Sequence, residues 1–131
     1  MNDLIIVGGG PAGAAAAVYA ARKRLKTTLI LEEWGGQSNV SADVRNWIGT
    51  NRLSGADLAK QLRTHVEEYA GEYLAIRTGT RASKLSTFDD RIVIDSGDMS
   101  LEAAALLIAA GASRRKLDVP GAAEYDQKGL T

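Results

Sequence analysis

The apolar run Leu4-Ile5-Ile6-Val7 breaks directly into Gly8-Gly9-Gly10-Pro11-Ala12-Gly13, and this junction constrains the fold of the chain more tightly than any other segment. A run that is apolar at every residue reads as a parallel strand buried on both faces, because alternation is expected only where one face meets water. Gly8, Gly10 and Gly13 have the G-x-G-x-x-G spacing of a strand-to-helix turn that receives a pyrophosphate: Gly8 permits the tight turn, Gly10 lets the pyrophosphate approach the backbone, and Gly13 lets the helix pack closely on the strand. Pro11 suits the first helical position, where a backbone N–H has no partner anyway. Ala12 opens an alanine-rich helix expected to reach about Arg24, with side chains small enough for close contact with a sheet. The free N–H groups and the dipole at the start of such a helix favour an anion.

A second apolar run, Thr27 to Leu31, ends at Glu32-Glu33. Glu32 falls about 20 residues beyond the last glycine, where an acid accepts hydrogen bonds from a ribose diol. Strand, glycine turn, helix, strand and acid occur in the order of a Rossmann-like α/β domain that binds a dinucleotide. Glu32 reads only the adenosine ribose, so FAD and NAD remain equally open at this point.

Lysine plus arginine and aspartate plus glutamate both number 16, and no long block of one sign occurs. Nucleic acid and charged membrane surfaces are therefore not expected partners. The compact basic cluster Arg114-Arg115-Lys116 reads as a solvated loop. Cysteine is absent, which excludes a disulfide framework, a thiolate metal site and a cysteine nucleophile within these residues. No apolar run reaches transmembrane length, and the first strand begins too early to leave room for a signal peptide, so a cytoplasmic protein is expected.

Further along, Trp34-Gly35-Gly36-Gln37-Ser38-Asn39 is too long for a plain turn and reads as a functional loop. Ser54-Gly55-Ala56-Asp57 has capping-box spacing, with Asp in place of the usual Glu or Gln. The helix it starts is expected to run to about Ala70, with Leu58, Leu62, Val66 and Tyr69 as its apolar stripe. The single histidine, His65, lies beside that stripe with no nucleophile motif near it and reads as a packing or surface residue. Tyr73 to Ile76 reads as a short strand. Thr80 to about Glu102 reads as an antiparallel meander. Ala103 to Gly111 reads as a buried strand returning to the parallel sheet, although its alanines also suit a helix. Val119-Pro120-Gly121 is a turn signal.

Taken together, these segments resemble the low-molecular-weight thioredoxin reductases and related flavoproteins with two dinucleotide domains. Gly8 to Gly13 matches the family's FAD pyrophosphate motif. Trp34-Gly35-Gly36-Gln37 is similar to the Gly-Gly-Gln segment beside the flavin and its ribityl chain. Val44 to Gly49 resembles the family's ENWPG stretch, in which Asn46 corresponds to the asparagine near the isoalloxazine. Leu107 to Ala112 resembles the second FAD motif, an apolar run ending ATGA. Three positions depart from the pattern: Arg45 stands for Glu, Ile48 for Pro and Ala110 for Thr. Losing the threonine hydroxyl forgoes a hydrogen bond of roughly 1 kcal/mol, which weakens binding without abolishing it.

The resemblance implies that residues 1–131 are the N-terminal, FAD-binding portion of a flavin-dependent NAD(P)H–disulfide oxidoreductase. It implies FAD held by Gly8, Gly10, Pro11, Ala12, Gly13, Glu32, Glu33, Gly35, Gly36, Gln37, Asn46, Ala110 and Gly111, with no catalytic residue and no metal. NAD(P)H would enter only through a nicotinamide-nucleotide domain, which follows this region in the family together with a redox Cys-x-x-C. Neither is found in these residues, so the isolated chain is expected not to turn over. Missing strand and helix partners suggest a homo-oligomer or a complementary protein chain. The alternatives are an NAD-binding Rossmann dehydrogenase domain and a truncated or engineered half-domain without catalysis.

Overall fold

The computed structural model describes residues 1–112 and 118–125. The elements are β1 (Asn2–Val7), α1 (Pro11–Arg22), β2 (Thr27–Ile30), a 3-10 turn (Gly36–Val40), α2 (Gly55–Glu67), β3 (Leu74–Arg77), β4 (Ala82–Thr87), β5 (Ile92–Ser96), β6 (Met99–Ile108) and a one-turn α3 (Ala122–Tyr125). The strands form one six-stranded sheet in the order β3-β2-β1-β6-β5-β4. It is parallel from β3 through β6 and antiparallel from β6 through β4.

β1 is central because it pairs on both edges, with β2 and with β6, and is covered on both faces. Ile6 and Leu29 face the helices, where Ala14, Ala17, Val18 and Ala21 of α1 and Val66 of α2 complete one core. Ile5 and Ile30 point the other way, into a second core with Ile94 and Ala103. This double coverage is the reason the first strand lacks polar alternation. The buried threonines of β2 are satisfied: Thr27 Oγ1 donates to the Leu25 carbonyl at 2.9 Å, and Thr28 Oγ1 donates to Asn2 Oδ1 at 2.9 Å.

The second core exists because the sheet curls. β5 and β2 are three strands apart in the ladder, a separation of about 14 Å if the sheet were flat. Yet Thr80 bridges them: its N–H donates to the Leu31 carbonyl at 3.3 Å, and its Oγ1 lies 2.8 Å from Ser96 Oγ at the end of β5. The meander therefore folds over the face opposite the helices and supplies the third layer.

α1 and α2 follow the expected helices with earlier ends. α1 stops at Arg22, and the chain reverses through Arg24, whose φ of 58° places a non-glycine residue in the left-handed region. The Leu25 N–H reaches back to the Ala20 carbonyl at 3.1 Å, closing the helix end in the manner usual for a glycine at that position. At α2, the Asp57 N–H donates to Ser54 Oγ at 3.0 Å, while the Ser54 hydroxyl donates to Asp57 Oδ2 at 2.6 Å. The shorter Asp thus bonds the cap's side chain, where a Glu would reach its backbone. Leu58 and Val66 of the stripe are buried, Leu62 and Tyr69 are half-buried, and His65 is exposed with its ring centroid 5.8 Å from that of Tyr69.

Two expectations are corrected at β6. The meander and the returning strand are a single ten-residue element, Met99–Ile108, with no boundary at Ala103. Its far half is also less buried than its apolar sequence suggests. Leu101 and Ala103 point inward, Ala104 and Ala105 are both exposed, and Leu106 turns inward again. The inward parity changes as the strand passes from meander to parallel sheet, which leaves Leu107 and Ile108 exposed. Val119 to Gly121 forms the expected turn, with the Ala122 N–H donating to the Val119 carbonyl at 3.1 Å. Arg114-Arg115-Lys116 lies outside the described residues.

Leu29 is fully buried between β1, α1 and α2. Leu29→Ala is expected to lower the unfolding free energy by about 2–5 kcal/mol in urea titrations. Leu85→Ala, on the exposed edge strand β4, is expected to stay within about 0.5 kcal/mol.

Candidate functional site

The Gly8–Gly13 turn lies at the carboxyl end of the central strand, and four chain segments converge on it. The first is the end of β6. The Ala109 N–H donates to the Val7 carbonyl at 2.8 Å, and Gly8, with φ of 121°, packs so closely that a Cβ there would overlap the Ala109 carbonyl. This contact sets the Ala110 backbone beside the turn, with Gly111 next in the chain. The second is the end of β2, where a Cβ on Gly9 would stand 2.6 Å from the Glu33 carbonyl oxygen. The third is the loop beginning at Trp34. The Gly35 N–H donates to the Gly9 carbonyl at 2.9 Å, and the side-chain direction of Gly36 ends 3.6 Å from Gly10 Cα. The fourth is α1 itself, whose Gly13 is pressed against the Gly8 carbonyl.

Gly10 differs from these neighbours. It is the N-cap of α1, with φ of −77° and ψ of −176°, a conformation open to any residue. A Cβ there would find only the Gly35 carbonyl oxygen, 4.0 Å away. No side chain caps α1 and its first turn holds no acid. The space beside Gly10 thus opens onto an uncapped helix end, an arrangement suited to an anion.

Glu32 and Glu33 are exposed immediately after β2. Arg81, on the β3–β4 connection, places Nε 3.3 Å from Glu32 Oε2. Gln37 is exposed in the first turn of the 3-10 segment. Asn46 is not brought to the turn by any hydrogen bond among the described residues. It lies on an exposed loop closed by the antiparallel Val44–Leu53 bridge. A separate open cleft of about 610 Å³ between this loop and α2 is lined by Arg52, Lys60, Gln61, Thr64 and His65 among others, and by none of the expected site residues. The Tyr73 phenol, raised above its ordinary range by a hydrogen bond to Glu72 and by that residue's charge, sits at the amino end of β3, away from the turn.

Three contributors escaped the sequence reading. Gly9 must be small to admit Glu33. Gly55 must be small because a Cβ would overlap the Ser38 carbonyl, and its N–H holds the Ser41 carbonyl at 2.8 Å, so it docks the 3-10 turn on α2. A glycine inside the first turn of a helix, where alanine is preferred, was the available signal for Gly55. Arg81 had no signal, since its proximity to Glu32 depends on the curl of the sheet.

Among the described residues no helix is long and apolar enough to cross a membrane, and no group of three potential ligands is placed to hold a metal ion. Comparison with known proteins agrees with this geometry. The F subunit of alkyl hydroperoxide reductase of Staphylococcus aureus is 35% identical over 130 residues, covering 98% of this chain and 25% of the relative. The corresponding Staphylococcus epidermidis protein is 36% identical over 129 residues, again 25% of its length. The thioredoxin reductase structure of Lactococcus lactis superposes with a TM-score of 0.87 at 30% identity, covering 97% of this chain and 41% of that one. That of Streptococcus pyogenes gives 0.80 at 36% identity, over 95% and 40%. The chain thus spans well under half the length of these relatives. Residues 2–131 match the family described as pyridine nucleotide-disulphide oxidoreductase, and the chain belongs to that family.

Proposed function

We propose that residues 1–131 form the FAD-binding portion of a flavin-dependent NAD(P)H–disulfide oxidoreductase of the thioredoxin reductase type. Gly10 carries this reading. Neither its backbone angles nor its protein neighbours require a glycine, so the space its missing side chain leaves is explained by a ligand that approaches the backbone. The uncapped end of α1 suits the pyrophosphate, with Pro11, Ala12 and Gly13 forming the first turn beneath it. Glu32, about 20 residues past the last glycine of the turn, is assigned as the acceptor of the adenosine ribose diol. Gly35, Gly36, Gln37, Ala110 and Gly111 are assigned to the ribityl and flavin half by family resemblance, and Glu33 is assigned through its backbone beside Gly9. Asn46 is assigned to the isoalloxazine by family resemblance. FAD bound there would supply two-electron redox chemistry, while these residues bind and orient it. The 131 residues contain no cysteine, so the dithiol step is assigned to residues other than these.

The exposure of Ile48 (95%) and Ile108 (68%) supports contact with a second copy or a complementary protein surface. Light scattering of the purified protein is expected to give a mass above that of the monomer. A monodisperse monomer would count against the association.

FAD is expected to quench the fluorescence of Trp34 and Trp47, which lie in the two loops assigned to the flavin side. NAD that binds while FAD does not would overturn the flavin reading. Glu32→Ala removes a charge-assisted acceptor and is expected to weaken FAD roughly ten- to a hundredfold in the same titration. Gly10→Ala is expected to cost about 1 kcal/mol or less in urea stability, through the poorer N-cap, while weakening FAD about tenfold or more. Gly13→Ala should instead destabilise the fold itself, because its Cβ meets backbone. A Gly10→Ala protein that binds FAD like the parent would remove the cradle from the site.

A further inference from the structure

The Glu32 carboxylate is held by a residue from a distant part of the chain. The β3–β4 connection is latched to the end of β2 by two backbone bonds, Gly79 N–H to the Glu32 carbonyl at 3.2 Å and Thr80 N–H to the Leu31 carbonyl at 3.3 Å. The latch is anchored from behind by the Thr80–Ser96 hydroxyl contact. One residue further, Arg81 is delivered to Glu32, with Nε 3.3 Å from Oε2. Both side chains are open to water, at 82% and 64% exposure. An exposed pair of this kind contributes little to folding, so stability does not account for it. It does set a guanidinium beside one carboxylate oxygen. Only Oε2 is engaged, and a carboxylate offers two oxygens with about four acceptor positions, so Oε1 is left free for a diol.

We infer that Arg81 is a positioning residue for dinucleotide binding: it holds Glu32 in the orientation that accepts the adenosine ribose diol, and so lowers the ordering cost of binding. This rests on Glu32 being the ribose acceptor of the proposed site and adds to it a residue outside the glycine turn. Because Arg81 acts through Glu32, its contribution disappears when Glu32 is removed. Restraining one flexible side chain before binding is worth about three- to tenfold in affinity.

The test is a double-mutant cycle on the purified full chain, read by FAD titration with tryptophan and flavin fluorescence, in the parent, Glu32→Ala, Arg81→Ala and the double variant. The high exposure of Arg81 makes Arg81→Ala compatible with folding, which thermal melting checks, and Arg81→Lys provides a second variant that retains the charge. The expected result is a three- to tenfold loss in Arg81→Ala, about twofold or less in Arg81→Lys, and no further loss when Arg81→Ala is added to Glu32→Ala. Unchanged or tighter binding in Arg81→Ala, with Glu32→Ala still impaired, would overturn the positioning role and leave the reading of the site intact. Equal losses from Arg81→Ala in both backgrounds would also overturn it, since Arg81 would then touch the dinucleotide itself. A parent protein that fails to bind FAD would overturn the site and this inference together.

Discussion

Backbone pressed against backbone at the end of β1 is the constraint on which the rest of the structure depends. Gly8 lies against the Ala109 carbonyl, and Gly13 lies against the Gly8 carbonyl, at separations that leave no space for a Cβ. The first contact joins the two central parallel strands at their carboxyl ends. The second brings α1 down onto the sheet so that its alanine face, Ala14, Ala17 and Ala21, reaches Ile6 and Leu29. Larger residues at either glycine would lift the helix or part the strands, and the shared core would open with them. The same compression leaves the amino end of α1 without a side-chain cap at the turn.

The site is assembled by loops that anchor to one another rather than by a pre-formed cavity. Gly9 acts as the hub: its carbonyl accepts from the Gly35 N–H, and its missing side chain admits the Glu33 carbonyl. Behind this junction Gly55 fixes the 3-10 turn to α2 through the Ser41 carbonyl. Motion of α2 would therefore be felt at Gly35 and Gly36. The contacts that join these loops at the turn are mostly main chain to main chain. Gln37, Asn46 and Gly111 are all exposed, and a Cβ on Gly111 would meet nothing within 4 Å.

The curl of the sheet links a structural device to the site. Folding the meander over Ile5 and Ile30 seals the second core, and the Thr80 contact that closes the curl also sets Arg81 beside Glu32. β6 accommodates the change by shifting which residues face inward between Ala103 and Leu106. Alanines suit that region because their small side chains tolerate either face. One consequence is the exposed apolar end of β6 at Leu107 and Ile108.

The residues of the glycine turn, the buried first strand, the alanine helix and the capped α2 were legible from sequence alone. Each depends on local chemistry: hydrophobic periodicity, the small size of glycine, and a serine placed to accept from a backbone N–H. The parallel order around β1 and the antiparallel meander were legible for the same reason. Sequence did not reveal that the meander and the last parallel strand are one continuous element, nor that its far half is exposed, because apolar composition marks a capacity for burial and not the presence of a partner. It did give the three glycines separate roles, and the packed chain bears out close packing at Gly8 and Gly13, where a Cβ would meet backbone, while no protein contact requires the glycine at Gly10. Glu32 was singled out by its spacing from the turn, whereas nothing in the sequence pointed to its ion pair with Arg81, nearly fifty residues further on. Their meeting follows from a curl that only the packed sheet creates, since long-range proximity is set by the summed geometry of many strands and leaves no mark on either residue's neighbours in sequence.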